Sequence, residues 1–144
     1  MISNKKNINI AIIGLGQIGI YLYNELLKKK KEIEIKTGKK INIVGISAKN
    51  RNKKRRFKID KKILFTNPLK IIDKKKVDIL FECIGKSDGI SKKVVEYALK
   101  NKINVITPNK TLLAKHGDYL SKLAETNHVN LEFEASVAGG IPIL

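Results

Sequence analysis

Six residues near the start of the chain, GLGQIG at 14–19, have the types and spacing needed to hold a phosphate. Gly14 permits a tight turn. Gly16 has no Cβ, so a backbone can come close to a pyrophosphate there. Gly19 lets the following helix pack closely on its strand. Leu15, Gln17 and Ile18 complete the turn, at a helix start whose free N–H groups and positive dipole end favour an anion. Alone, G-x-G-x-x-G is a weak signal. Here it closes a strand and opens a helix in the first βαβ unit, which is the context a dinucleotide site requires. The alternative is a strand-to-helix turn that holds nothing.

A second set of residues bears on which dinucleotide. An acidic residue at the end of the second strand would bind the adenosine ribose 2′-OH and select NAD. The segment GISAKNRNKKRR at 45–56 has no Asp or Glu from 47 to 56. Ser47, Lys49 and Arg51 are instead the candidates to receive a 2′-phosphate. NADP is therefore favoured, with NAD still possible.

These residues need a scaffold, and the apolar pattern supplies one. INIAIIG (8–14), INIVGIS (41–47), VDILFECIG (77–85), INVITP (103–108) and VNLEFEAS (129–136) are short, branched apolar runs that read as strands. QIGIYLYNELLKKKK follows the first, with Ile18, Leu22, Leu26 and Leu27 at helical spacing. SKKVVEYALKNK (91–102) and NKTLLAKHGDYLSKLAETN (109–127) read as further helices. Strands alternating with helices predict an α/β fold, a doubly wound parallel sheet with right-handed crossovers. Five strands account for nearly the whole chain, and a basic loop follows the second.

Composition sets outer limits. At 144 residues the chain has room for one domain with a core, and 42% apolar residues is ordinary for a globular protein. No apolar run approaches the ~20 residues that span a bilayer, and the start lacks a secretory signal. No membrane partner is expected. A single cysteine, Cys83, excludes an internal disulfide framework and fits a reducing compartment, so a cytoplasmic location is expected. The formal charge of +17 raises the question of nucleic acid. The lysines, however, are scattered among many isoleucines and asparagines, as a genome-wide bias would leave them. The densest cluster, KNRNKKRRFKIDKK at 49–62, holds one aromatic and no nucleic-acid motif. It reads as a solvated loop or as one placed to meet a phosphate, and a nucleic-acid partner is not expected. Cys83 lies in an apolar run and reads as core. His116 and His128 show no metal or triad pattern. Glu82 ends an apolar run, and its pattern leaves open a structural role or a place near the site.

The second half carries more specific text. ITPNKTLLAKHGDYLSKLAE, followed by LEFEASVAGGIPI, resembles homoserine dehydrogenase. GLGQIG, the basic second-strand segment and VDILFECIG lie in that family's order, so the resemblance covers nearly all of the chain. It implies a Rossmann-type NAD(P)-binding domain and the interconversion of L-homoserine and L-aspartate 4-semialdehyde by hydride transfer, a step of threonine and methionine biosynthesis. Lys110 matches the family's lysine in its Asn-Lys pair, implying a catalytic role beside cofactor and substrate oxygen. Gly85 is implied to lie beside the cofactor; the family often has a second glycine next, where this chain has Lys86. Pro108 replaces a usual alanine. EASVAGG is similar to the family's monovalent-cation loop, which implies a sodium ion held by Glu134, Val137, Gly139 and Ile141, with backbone carbonyls as ligands.

The resemblance also implies a division of the chain: a dinucleotide-binding domain at 1–135, then 136–144 as the start of a hinge into a substrate domain absent from this chain. The expected full-length enzyme is a homo-oligomer, and the portion present is expected to be inactive alone. Two other classes remain: a different NAD(P) oxidoreductase, and a basic Rossmann-type binding module without dehydrogenase activity.

Overall fold

The computed structural model describes residues 4–50, 52–55 and 59–133. In chain order they form β1 (Asn7–Ile13), α1 (Gln17–Thr37), β2 (Lys40–Ser47), β3 (Leu64–Phe65), α2 (Pro68–Lys74), β4 (Ile79–Glu82), α3 (Ile90–Lys100), β5 (Asn104–Thr107), α4 (Lys110–Thr126) and β6 (Leu131–Phe133). The strands make one sheet in the order β3-β2-β1-β4-β5-β6. Every neighbouring pair is parallel. The chain thus starts in the middle of the sheet, builds outward to β3, then returns to the other side of β1.

Alternation along the strands separates two cores. Ile8, Ile10 and Ile12 of β1 face one side, where Leu22, Tyr23 and Leu26 of α1 cover them together with Ile46 and Phe81. Ala11 and Ile13 face the other, against α2, α3 and α4 through Ile71, Val94, Val95, Leu112 and Leu120. Central strands buried on both faces need apolar residues at every position, and β1 has them from Ile10 to Ile13, all 0% exposed. The doubly wound parallel sheet read from the pattern is present.

The structure adds what periodicity did not show. The expected five strands are six among the described residues, because Leu64 and Phe65 pair with Ile46 and Ser47 as a two-residue edge strand. Two residues carry no period. Helix α2 follows, and its start was written in the sequence: Asn67 caps Leu69 N–H through its side chain, and Pro68 occupies the first turn. Helix α1 also runs on through the lysine cluster to Thr37. It is stopped by Gly38, in the left-handed region at φ 72°, whose N–H donates to Glu34 O. Pairs Glu25–Lys29 and Glu32–Lys36 support the extension at 3.4 and 2.9 Å.

The run expected at 77–85 is shorter as a strand. It ends at Glu82, because the Glu82 carboxylate captures the N–H groups of Ile84 and Gly85 and turns the chain away. No α-helix lies between β2 and β3 among the described residues; the connection carries one short 3-10 turn, Lys61–Ile63, capped by the Asp60 side chain at Lys62 N–H. Beside that connection, near the start of β2, an open groove of about 220 Å³ is lined by apolar residues such as Leu26, Ile41 and Ile63 and by the polar Tyr23, Lys30 and Asn42. It is at the opposite end of β2 from Ser47.

Phe81 is the largest side chain fully enclosed in the sheet. Phe81→Ala is expected to cost about 3–5 kcal/mol of stability. A lower urea midpoint at unchanged slope checks this.

Candidate functional site

All strands are parallel, so their C-terminal ends share one edge. Order reverses between β1 and β4, where the chain leaves in opposite directions and opens a crevice. The glycine turn lies on that edge. Gly14 adopts φ 98°, and a Cβ there would lie 3.0 Å from the Cys83 carbonyl carbon. A Cβ on Gly19 would stand 1.8 Å from Gly14 O, which shows how tightly α1 packs on the turn. Gly16 differs from both: its φ is −81°, and a Cβ there would meet nothing within 4 Å. Packing among the described residues does not require glycine at 16.

Gly16 is also the residue that opens α1. No side chain caps this helix, and its first turn holds no acidic residue. The first N–H groups of a helix have no partner within it. Leu15, Gln17 and Ile18 surround this opening, and Gln17 and Ile18 are exposed. The turn is fixed from β2: Gly14 N–H donates to both the carbonyl and the hydroxyl oxygen of Ser47, at 3.1 and 3.2 Å. Ser47 is only 4% exposed, so its first role in this structure is to hold the turn.

Beyond Ser47 the chain becomes basic. Ala48 N–H is tied to Phe65 O of the edge strand. Lys49, Lys53 and Lys54 are exposed and make no ion pair among the described residues. Arg55 donates to the carbonyls of Asn50 and Lys53, at 2.9 and 3.2 Å, and folds the loop on itself. The sequence reading did not single out Arg55. Arg51 lies outside the described residues, and so do Glu134, Val137, Gly139 and Ile141. Among the described residues, no group of three or more His, Cys, Asp or Glu is placed to hold a metal.

On the other side of the crevice a buried carboxylate organises the edge. Glu82 is 0% exposed. Its Oε1 accepts from Ile84 N–H at 2.8 Å and Gly85 N–H at 3.1 Å. Its Oε2 accepts from the Thr107 hydroxyl at 2.8 Å and from Asn109 Nδ2 at 3.1 Å. Asn109 also donates to Lys86 O at 2.7 Å. Its own Oδ1 accepts from Leu112 N–H at 3.0 Å, which caps α4. Lys110 follows as the first residue of α4 and is exposed. A cation at a helix N-terminus opposes the dipole. Its position is therefore not explained by helix stability.

The loop from β4 to α3 is tied down once more. Asp88 accepts from Lys115 at 2.5 Å and pairs with His116 Nε2 at 2.9 Å. Hydrogen bonds from Lys115 and His116 hold the Asp88 carboxyl well below the usual carboxylate range. His116 thus serves this tether. The structure brings the glycine turn, Ser47, Gly85 and Lys110 to one edge of the sheet. Glu82 and Asn109 tie that edge together. The sequence marks Glu82 as a charged residue at the end of an apolar run with its role open; its four hydrogen bonds give it a structural task at this edge.

Cys83, expected in the core, is partly buried beneath the turn and packed on the first core; desolvation and then the Glu82 charge push its thiol up to about 12. A thiol that far above neutral pH carries almost no thiolate. The folded protein is expected to resist iodoacetamide at pH 8, with full labelling only in denaturant. Rapid labelling of the native chain, read by mass, would contradict this placement.

Comparison with known proteins gives the setting of this edge. Residues 14–134 match the family model described as the NAD binding domain of homoserine dehydrogenase. A homoserine dehydrogenase of Neisseria gonorrhoeae is 34% identical over 139 residues, covering 96% of this chain and 32% of that protein. That of Bacillus subtilis is similar to the same degree, 34% over 139 residues, with the same coverage. The crystal structure of S. aureus homoserine dehydrogenase at pH 8.5 matches with a TM-score of 0.84 and 36% identity, over 93% of this chain and 33% of that one. The chain spans about a third of the length of the relatives it matches. In sequence and in fold, the chain belongs to the homoserine dehydrogenase family and corresponds to its NAD-binding domain.

Proposed function

We propose that this chain is the cofactor-binding portion of an NADP-dependent homoserine dehydrogenase. The observation that carries the reading is Gly16: a glycine the fold does not require, at an uncapped helix start, facing open space. A pyrophosphate placed there would receive the N–H groups around Leu15, Gln17 and Ile18. Gly14 and Gly19 hold the turn in shape, and Ser47 anchors it. Lys49, which makes no ion pair among the described residues, and Arg51 favour a 2′-phosphate over a bare ribose, and the sequence from 47 to 56 has no Asp or Glu to select NAD.

A bound nicotinamide supplies the carbon that exchanges hydride with the substrate. The chain's own part is orientation and a proton. Gly85 belongs to the loop flanking that end, and Lys110 is the group proposed to hold or move the proton at the substrate oxygen. The substrate pair is L-homoserine and L-aspartate 4-semialdehyde, which places the reaction in threonine and methionine biosynthesis, in the cytoplasm. Glu134 and the carbonyls of Val137, Gly139 and Ile141 are proposed to hold sodium. Residues 1–135 form the dinucleotide domain, with 136–144 beginning a hinge towards a substrate domain in a homo-oligomeric enzyme. Since the chain spans about a third of its relatives, it is proposed to bind the dinucleotide without oxidising homoserine. Efficient turnover needs both reactants walled into near-attack geometry.

Calorimetric titration with NADPH and NADH tests the reading. NADPH is expected to bind more tightly, by about tenfold or more for a charge-assisted phosphate contact. Gly16→Ala is expected to change stability by less than about 1 kcal/mol yet abolish most of that affinity. Gly19→Ala, which collides with Gly14 O, is expected to cost about 1–3 kcal/mol of stability. Binding of neither nucleotide by the folded chain would sink the cofactor reading. Salt-sensitive binding of nucleic acid that NADPH does not displace would favour a basic binding module instead.

A further inference from the structure

We propose that Glu82 is a positioning residue for the nicotinamide half of the cofactor, acting through the Ile84–Gly85 loop and the capped start of α4. The inference rests on the cofactor reading above and deepens it. It concerns how one buried charge joins two loops that belong to different crossovers.

A carboxylate has about four acceptor positions. In Glu82 all four are used, by Ile84 N–H, Gly85 N–H, the Thr107 hydroxyl and Asn109 Nδ2. None of these donors carries a charge, and Glu82 has no ion pair among the described residues. Four donors shared between two oxygens is the arrangement that an acceptor-only group satisfies. The arrangement fixes the β4–α3 loop against the β5–α4 junction. It does so at the C-terminal edge, immediately before Lys110.

The two halves of the crevice are fixed by separate hydrogen bonds, although the glycine turn also packs on the Cys83–Ile84 backbone. The glycine turn takes its shape from Ser47 and from its packing on α1. The strand order puts the pyrophosphate and adenosine over β1 and β2, and hence the nicotinamide over β4 and β5. Glu82 pairs through its backbone with Ile13 of β1, but its side-chain hydrogen bonds all fall on that second side. Removing its charge should therefore loosen one half of the site and spare the other.

Glutamine cannot replace it. Its single acceptor oxygen can serve Ile84 and Gly85, but its NH2 then faces two donors. The Thr107 hydroxyl can rotate to accept. Asn109 can do so only by turning its amide over, which would give up its cap on Leu112 N–H and its bond to Lys86 O. Asn109→Ser offers a second route to the same disconnection. Serine also caps helices well, yet it lacks the amide that joins α4 to Glu82 and Lys86.

The test uses the 144-residue chain and two probes, NADPH and 2′-phospho-ADP-ribose, which lacks only the nicotinamide. Wild-type protein is expected to bind NADPH more tightly than the truncated probe. Glu82→Gln and Asn109→Ser are each expected to weaken NADPH about tenfold, from losing roughly one positioning contact. The truncated probe should change by less than about twofold. Thermal melts establish which variants are folded; if Glu82→Gln is not, Asn109→Ser alone decides. Equal loss for both probes would make Glu82 a general structural residue and overturn the inference. So would unchanged NADPH binding, or wild-type protein that does not distinguish the probes, and in each case the cofactor reading survives. Wild-type protein that binds neither probe overturns that reading itself, and the inference with it.

Discussion

A fully buried carboxylate that forms no ion pair among the described residues is the constraint on which the ligand-facing edge of this domain depends. Transferring an ion out of water costs several kcal/mol even after the protein relaxes. At Glu82 that cost is met by four hydrogen bonds to one residue, each stronger than a neutral pair because the acceptor is charged. The donors come from three places: the loop after β4, the end of β5 and the cap of α4. Satisfying Glu82 therefore ends one strand, pins the next and starts a helix. A core built only from leucine and isoleucine could hold the sheet together, but it would leave those three backbone segments free to choose their own paths.

The same edge shows how charge is distributed with and against local structure. In α1 the lysines occupy the middle and the last turn, where the dipole tolerates or favours them. Two of them, Lys29 and Lys36, pair along the helix with Glu25 and Glu32. Lysine there reflects composition and a solvated face. Lys110 and Lys49 are different, since one opens a helix and the other stands in a loop without a counterion among the described residues. In a chain with 30 Lys and Arg, identity alone carries little information, and position against the dipole carries much more.

How much of this could be read in advance followed from what each feature leaves in a sequence. Buried parallel strands need continuous branched apolar residues, so β1, β2, β4 and β5 were plain, and with them the fold class. Strand β3 has two residues and no period to read. Helix α2 was missed although Asn67 and Pro68 announce its start, because its lysines blur the apolar face. The glycine turn was legible because tight turns and close approaches admit little else. The Glu82 network was not, since its partners are 25 and 27 residues away and two of its donors are backbone groups that any residue supplies. Ser47 shows the converse. Its type suggested a ligand, while its place, buried against Gly14, gives it a structural task first.

The three glycines of the turn separate what a fold requires from what it leaves over. Gly14 is explained by its positive φ, and Gly19 by the oxygen its Cβ would strike. A protein with no ligand at all would need both. Gly16 has an ordinary backbone and empty space before it, so nothing among the described residues accounts for the missing Cβ. Glycine also weakens a helix start relative to serine or aspartate, whose side chains would cap the free N–H groups. A residue that gives up capping, without a steric reason inside the protein, is accounted for if those N–H groups are kept for an anion. The proposed pyrophosphate is such a group, and Gly16 is the position where folding and binding make separate demands.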